Sequence, residues 1–231
     1  MKPAVKISFF IFTCFLLSTG VWGTRISFNA NEFQTPASDT IVLENDFVRV
    51  MQNGTVKKAA DEGIFGKRII VALSKLKYEK NDSVRMLQRG EVIVLLPGEL
   101  TANIKGDYFE VAFKKIHPEP KGPEIWLEPQ KNNIVYEDEL FRVFEERLAA
   151  GDTREMHSHS QRVVVRLNKV QLTDPRFNPN GVPGEGIQVP NTVKFAEPIV
   201  HVVKNLSTDT PLFNIIIEFK TSVYNNRSKH T

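Results

Sequence analysis

An internal repeat constrains the fold of this 231-residue chain more than any other feature. Residues 41–50 (IVLENDFVRV) align without a gap with residues 134–143 (IVYEDELFRV), and five of the ten positions are identical. A second block, residues 67–76, aligns with residues 161–170 at a spacing one residue longer. Two blocks that recur in the same order, at nearly the same distance along the chain, predict two similar halves that are each built from the same structural unit.

Both halves contain short runs that are typical of β-strands. The runs are β-branched and bounded by Gly, Pro, Asn or Asp, at residues 69–73, 92–96, 163–167 and 213–217. Residues 57–62, 83–89 and 137–150 have some helical character, but the last segment aligns with a strand block of the first half and is predicted to be a strand. The sequence therefore predicts an all-β chain of two small barrels or sandwiches packed together.

A proline-rich stretch, HPEPKGP at residues 117–123, is the predicted linker, because proline disfavours both helix and central strand. Residues 174–190, rich in Pro and Gly, are predicted to form a loop within the second half. The predicted divisions are a signal peptide (1–23), an N-terminal arm (24–39), a first barrel (40–122), a second barrel (123–224) and a polar tail (225–231).

The first 23 residues have the pattern of a cleaved secretory signal peptide. Lys2 and Lys6 precede an apolar stretch at residues 7–17, which is shorter than the roughly 20 residues that span a bilayer. Small residues at positions −3 and −1 favour cleavage before Thr24. A lipoprotein signal that uses Cys14 is the alternative, although a very apolar FLL follows that cysteine. The predicted location is secreted or periplasmic.

Charge and cysteine content exclude several classes of function. Without Lys2 and Lys6, the formal charge falls from +3 to +1, and no run of Lys or Arg is interleaved with aromatic residues, so no nucleic-acid partner is predicted. Cys14 is the only cysteine, which excludes disulfides and thiolate chemistry from the mature chain. Four glycosylation sequons, relevant only if the source is a eukaryote, begin at Asn53, Asn81, Asn205 and Asn226.

Three of the five histidines fall in two short segments of the second half. His157 and His159 are two residues apart, so on a strand both side chains point to the same face. His201 lies on a separate apolar stretch, and a closed barrel can bring it to the first pair. Three imidazoles on one ion leave positions open for water, oxygen or substrate.

These segments resemble the two motifs of the cupin superfamily. Gly-x5-His-x-His spans residues 151–159, and His-x3-Asn spans residues 201–205. Together with the repeat, they make the mature chain resemble a bicupin with a degenerate N-terminal half. The resemblance implies two tandem jelly-roll β-barrels, with His157, His159 and His201 as ligands of a divalent metal. Iron, zinc, manganese, nickel and copper are the candidate ions, since Mg²⁺ and Ca²⁺ prefer oxygen ligands.

The sequence departs from the cupin pattern at the glutamate of the first motif. Val163 and Val164 stand where that fourth ligand is expected. Strand alternation would place Gln161 and Val163 on the face of the two histidines, with Gln161 as the nearby polar substitute and Val163 as an apolar wall. The first half has Gly63 and a phenylalanine at the histidine positions, and its barrel is predicted to be metal-free.

Two functions from different classes follow. The first is a metal-dependent oxygenase or isomerase that acts on a small organic molecule, with Gln161 orienting the ligand and Glu155 as a possible acid or base. The second is a non-catalytic binding or structural bicupin with a vestigial site, because cupins include both classes. Arg162 and Arg166 are predicted to lie on the outer face. Exposed sheet edges make a homodimer plausible.

Overall fold

A computed structural model describes residues 40–53, 64–80, 83–97, 99, 104–114, 131–174 and 184–220. Every regular element in these ranges is an antiparallel β-strand. Among the described residues, no helix is long and apolar enough to cross a membrane. The predicted signal peptide, arm, linker and tail, and the segment 57–62, lie outside the described residues.

The first half contains eight strands in two sheets. They are β1 (Thr40–Glu44), β2 (Val48–Gln52), β3 (Ile64–Ala72), β4 (Leu76–Lys80), β5 (Ser83–Leu87), β6 (Val92–Leu95), β7 (Ile104–Lys105) and β8 (Tyr108–Lys114). The larger sheet has the order β1-β2-β8-β3-β6, and the smaller one has the order β5-β4-β7.

The second half contains nine strands. They are β9 (Asn132–Glu137), β10 (Phe141–Leu148), β11 (Thr153–His159), β12 (Arg162–Arg166), β13 (Val170–Asp174), β14 (Gly184–Gln188), β15 (Thr192–Ala196), β16 (Ile199–Asn205) and β17 (Leu212–Phe219). The sheet orders are β9-β10-β17-β12-β15 and β11-β16-β13-β14.

The two halves repeat the same topology. β1, β2, β8, β3 and β6 occupy the places that β9, β10, β17, β12 and β15 occupy in the second half. The smaller sheets match in the same way, except that β11 has no counterpart among the described residues. Each half is thus a jelly roll of two antiparallel sheets, and the repeated sequence blocks lie in equivalent strands. The predicted all-β fold of two tandem jelly-roll barrels is confirmed.

Two segments differ from the sequence prediction. Residues 83–87, which had some helical character, form β5 and pair along their length with β4. Residues 184–188, within the predicted loop, form β14 and pair with β13 from Val170–Gln188 to Asp174–Gly184. In both cases a partner strand supplies the backbone hydrogen bonds, and this tertiary pairing outweighs weak local preference.

One apolar core joins the two five-stranded sheets. Its buried members come from both halves: Val48, Val50, Ile69, Val71, Leu73, Phe109, Val111, Phe113, Phe141, Val143, Val163, Val165, Leu167, Phe213, Ile215, Ile217 and Phe219. Phe113 of β8 stacks on Phe141 of β10 with ring centroids 4.6 Å apart. Gly90 also abuts the other half, because a Cβ there would collide with the Phe213 ring. The halves therefore share their main hydrophobic core.

Polar contacts at the edge of this core also link the halves. Lys67 Nζ of β3 lies 2.7 Å from Asp138 Oδ2, in the turn between β9 and β10. Arg89 donates hydrogen bonds to the carbonyl oxygen of Leu167 and, at 2.6 Å, to Asn191 Oδ1. These pairs fix how one five-stranded sheet lies on the other.

We expect Asp138→Asn to lower stability in a pH-dependent way. Burial raises the pKa of Asp138, but the bond from Lys67 and two backbone amides outweigh this, so its pKa is lowered from 3.8. A carboxyl group whose pKa is lower in the folded chain than in the unfolded chain stabilises the fold at pH values above its unfolded pKa. This stabilisation is lost as the pH falls through its folded pKa. The asparagine oxygen can still accept the two backbone bonds, so the substitution removes the charge and the bonds that Oδ2 accepts from Lys67 and Tyr136.

The expected loss for Asp138→Asn is about 0.5–1 kcal/mol in unfolding free energy at pH 7. The difference from wild type should shrink as pH falls below 3.8. Urea unfolding at pH 7 and pH 3 measures both values, with Asp138→Ala as a reference that also removes the turn bonds. A difference that is the same at both pH values would show that the ion pair is not its source.

Candidate metal centre

The three histidines converge inside the second barrel. β11 and β16 are antiparallel neighbours, and His157 lies directly opposite His201 in their register. An irregularity between Arg154 and His157 shifts this register and leaves His159 on the same face as His157. One ring nitrogen from each histidine lies within 4.8 Å of those of the other two. The predicted convergence of the three imidazoles is thus present in the fold.

The imidazoles are buried and packed against each other. The His157 and His201 ring centroids are 4.4 Å apart, and those of His157 and His159 are 4.9 Å apart. The exposed fractions are 0% for His157, 1% for His159 and 7% for His201. The Phe144 ring lies nearly parallel to the His159 ring, with the two centroids 6.3 Å apart.

Hydrogen bonds on Nδ1 fix the tautomers of two of these histidines. His157 Nδ1 lies 2.8 Å from the carbonyl oxygen of Glu155, which can only accept, so Nδ1 carries the proton. His159 Nδ1 lies 3.2 Å from Glu218 Oε1, an oxygen that also accepts a bond from the Ser160 amide at 2.6 Å. His157 Nε2 therefore keeps its lone pair, as a metal ligand requires, and His159 Nε2 does so wherever Glu218 accepts in this bond.

The His157 Nε2 atom is buried without a hydrogen-bond partner among the described residues. Burial lowers the pKa of His157 to about 4, with the Arg154 charge adding to the effect. Burial and then Arg162 hold the pKa of His159 well below its usual range. Both rings are neutral at pH 7, which is the state that binds metal. The donor set therefore fits a divalent first-row ion.

A network of charged and amide side chains surrounds the histidines. Arg154 Nη1 lies 2.5 Å from Glu146 Oε1, and both residues are buried. Asn214 donates to the other Glu146 oxygen at 2.9 Å. Burial raises the pKa of Glu218 to about 7. The interior of the second barrel is therefore polar next to the histidines.

The interior of the first barrel is mainly apolar. Its buried members are Ile70, Ala72, Leu76, Tyr78, Leu87, Ile93, Leu95 and Tyr108. One buried ion pair, Arg68 with Glu110 at 2.9 Å, lies on β3 and β8. Gly63 and Phe65 occupy the positions equivalent to His157 and His159. Gly63 and the side chain of Phe65 lie outside the described part of the chain, so the absence of metal from the first barrel stays a prediction.

The glycine and asparagine of the two motifs shape the turn that leads into β11. Gly151 has a φ of 74°, a left-handed conformation that favours glycine. The backbone amide of Asn205 donates a hydrogen bond to the backbone carbonyl oxygen of Asp152 at 2.9 Å. The Asn205 side chain is fully buried and donates to the carbonyl oxygens of Leu148, Ala149 and Thr210. The glycosylation sequon that begins at Asn205 is therefore not accessible in the folded chain.

Two predicted placements next to the site are wrong. Val163 lies in the core between the halves, whereas Val164 faces the interior of the second barrel. Arg162 is buried rather than on the outer face, with 6% exposure. The chain turns at Ser160 and Gln161 between strands of different sheets. Alternation along β11 therefore does not continue into β12.

The two supporting residues lie near the cluster but make other contacts. Gln161 Nε2 donates to Glu197 Oε2 at 3.0 Å. Glu155 is exposed and meets His157 through its backbone carbonyl. Sequence reasoning missed Glu218, which contacts His159. A carboxylate in β17, where Asn214 is the one other polar residue, is the signal that could have found it.

The strand order and the histidine positions together decide the fold type. The chain has a jelly-roll fold, which is the fold that its sequence resemblance to cupins implies. No protein-family model matches the sequence, and no curated protein matches it. The jelly-roll fold that the resemblance implies is thus present in the strand order.

Several solved structures are similar to this chain, and the first two below are described as cupin proteins. A cupin domain from Bordetella pertussis is 22% identical over 46% of this chain and 97% of its own length, with a TM-score of 0.34. A cupin 2 conserved barrel domain protein from Leptotrichia buccalis is 10% identical, covering 79% of this chain and 88% of its own, with a TM-score of 0.47. The protein Ylba from E. coli is 13% identical, covering 79% and 82%, with a TM-score of 0.48.

Proposed function

We propose that the second barrel binds one divalent metal ion through His157, His159 and His201. The observation that carries this proposal is the convergence of three buried imidazoles, two of which have Nδ1 committed to an acceptor. Such an arrangement leaves buried Nε2 lone pairs that an ion would satisfy. Iron, zinc, manganese, nickel and copper match imidazole ligands.

We further propose that the metal-bound protein is an enzyme, an oxygenase or isomerase of a small organic molecule. A bound ion would supply Lewis-acid or redox chemistry at the positions that three protein ligands leave open. The residues of the chain have separate roles. Phe144, Val164 and Ile216 form an apolar wall beside the cluster that excludes water, and the histidines hold the ion.

A second candidate is a non-catalytic binding or structural bicupin with a vestigial site. The low exposure of the three imidazoles, at most 7%, favours it, because a substrate needs a path to the ligand atoms. An exogenous ligand separates the candidates. Azide added to the Co²⁺-loaded protein should change its visible absorption if a coordination position is open. An unchanged spectrum would support the non-catalytic candidate.

Metal analysis tests the binding proposal itself. The chain from Thr24 onward is stripped with a chelator, dialysed separately against each of the five candidate ions, and then analysed by mass spectrometry for metal. We expect about one ion per chain for at least one metal, since the site is a single three-histidine cluster. Protein that retains none of the five ions would leave only the vestigial interpretation.

We propose that the mature protein is secreted or periplasmic and begins at Thr24, as the charged start and short apolar stretch indicate. Intact mass of the protein from its native host is the test. A soluble cytosolic protein that retains residues 1–23 would contradict it.

The domain boundary at residues 117–123 and the homodimer are also proposals. Limited proteolysis tests the boundary, and light scattering tests the homodimer.

A further inference from the structure

Glu218 is a buried carboxylate on the central strand of the second five-stranded sheet. β17 lies between β10 and β12, and Glu218 is opposite Arg142 on one side and Arg162 on the other. Its side chain is fully buried. Oε1 contacts His159 Nδ1 and the Ser160 amide, while Oε2 has no hydrogen-bond partner among the described residues.

The sheet itself does not need a carboxylate at this place. The first half provides the comparison, because Ala112 of β8 lies between Arg49 and Arg68 in the same way. Taking a carboxylate out of water costs several kcal/mol when its partners are incomplete. An alanine at the equivalent position shows that the same strand order forms without that cost. The carboxylate of Glu218 is therefore best explained by what it contacts.

The contacts of Glu218 act on one histidine of the cluster. The Ser160 amide donates to Oε1, and whenever Glu218 is ionised or carries its proton on Oε2, the Nδ1 of His159 supplies the proton of the bond that it shares with Oε1. His157 obtains the same restraint from a backbone carbonyl. One histidine is thus oriented by the main chain, whereas the other depends on a single side chain.

We propose that Glu218 is a positioning residue that fixes the ring orientation and tautomer of His159, so that Nε2 is presented to the metal. The inference rests on the proposed metal site and extends it. A carboxylate behind a ligating histidine orients the ring and increases its basicity, and its loss lowers metal affinity about 10–100-fold. In this chain the carboxylate comes from β17, rather than from the strand that carries the histidine.

Metal affinity is the first test. Glu218→Ala should raise the Zn²⁺ dissociation constant about 10–100-fold, and Glu218→Gln should raise it less because the amide oxygen still accepts from Nδ1. Glu110→Gln is the matched control, since Glu110 is an equally buried carboxylate on β8 of the first barrel. This control should lower stability without changing affinity. An equal loss of affinity in Glu110→Gln, or none in Glu218→Ala, would overturn the proposal.

The tautomer of His159 in the metal-free protein is the second test. In ¹⁵N-histidine-labelled protein, wild-type His159 should be protonated on Nδ1, and Glu218→Ala should increase the population protonated on Nε2. His157, held by a backbone carbonyl, is the internal reference. This measurement needs no metal, so it tests Glu218 even if the wild type binds none. An unchanged His159 tautomer in Glu218→Ala would contradict the positioning role.

Discussion

His157→Ala and His201→Ala should each lose the bound ion, from about one per chain to background, since each removes one of three protein ligands. His157 has a buried Nε2 without a hydrogen-bond partner among the described residues, and His201 lies directly opposite it in the sheet. A site left with two imidazoles lacks the ligand number that holds a first-row ion against dialysis.

The fold of these variants should survive. The main apolar core lies between the halves and contains no histidine, so circular dichroism should remain that of a β-rich protein. Glu155→Gln is the matched control, because it lies on β11 beside His157 and meets that ring only through its backbone carbonyl among the contacts described. Metal per chain and circular dichroism are measured together. Alanine variants that keep their full metal content would refute the three-histidine site.

Phe141→Ala should destabilise both halves at once, by about 3–5 kcal/mol. Phe141 is 2% exposed, and it stacks on Phe113, which belongs to the other half. Its removal leaves a cavity in the core that both five-stranded sheets share. Because the cavity borders both halves, the expected result is one cooperative transition at a lower urea concentration.

Hydrogen exchange by mass spectrometry separates a shared loss from a local one. We expect faster exchange in both β8 and β17, since the strands on the two sides of the core open together. Ile134→Ala on β9 is the control, because Ile134 is 46% exposed and its removal should cost less than about 0.5 kcal/mol. A Phe141→Ala protein in which β8 keeps its native protection would show that the halves are energetically separate.

Local sequence pattern was sufficient for the repeat, the strands and the histidine cluster. The repeated blocks record the same strands in the same sheet positions, and the spacing of His157 and His159 fixes their common face because a strand alternates with period two. The position of His201 followed from the need to close a barrel. The repeat and the strands depend on short-range geometry that recurs in both halves, whereas the convergence of His201 depends on the fold of the second half.

The features that could not be predicted depend on contacts distant in sequence. Val163 and Arg162 were placed on the wrong faces because the turn at residues 160–161 breaks the alternation between β11 and β12. β14 owes its strand conformation to pairing with β13. Glu218 is 59 residues from His159, and the two residues meet because β17 pairs with β12, the strand that follows β11 in the chain. No local pattern encodes that contact.

The two barrels show how one fold accommodates different interiors. In the first barrel, the interior next to β3 and β8 contains apolar side chains and one ion pair. In the second, the equivalent strands carry Arg162 and Glu218 beside three histidines. The shared core on the opposite face of the five-stranded sheets is apolar in both halves. We infer that this core stabilises the polar interior, which buries charges at a cost to stability.

Anomalous diffraction from crystals of the zinc-reconstituted protein tests the central claim most directly. Data collected on both sides of the zinc absorption edge locate the ion independently of any assumption about its ligands. The account predicts one peak per chain between β11 and β16, about 2.0–2.1 Å from one nitrogen of each of His157, His159 and His201. Fully reconstituted crystals without a peak there, or with zinc only at surface residues, would contradict it.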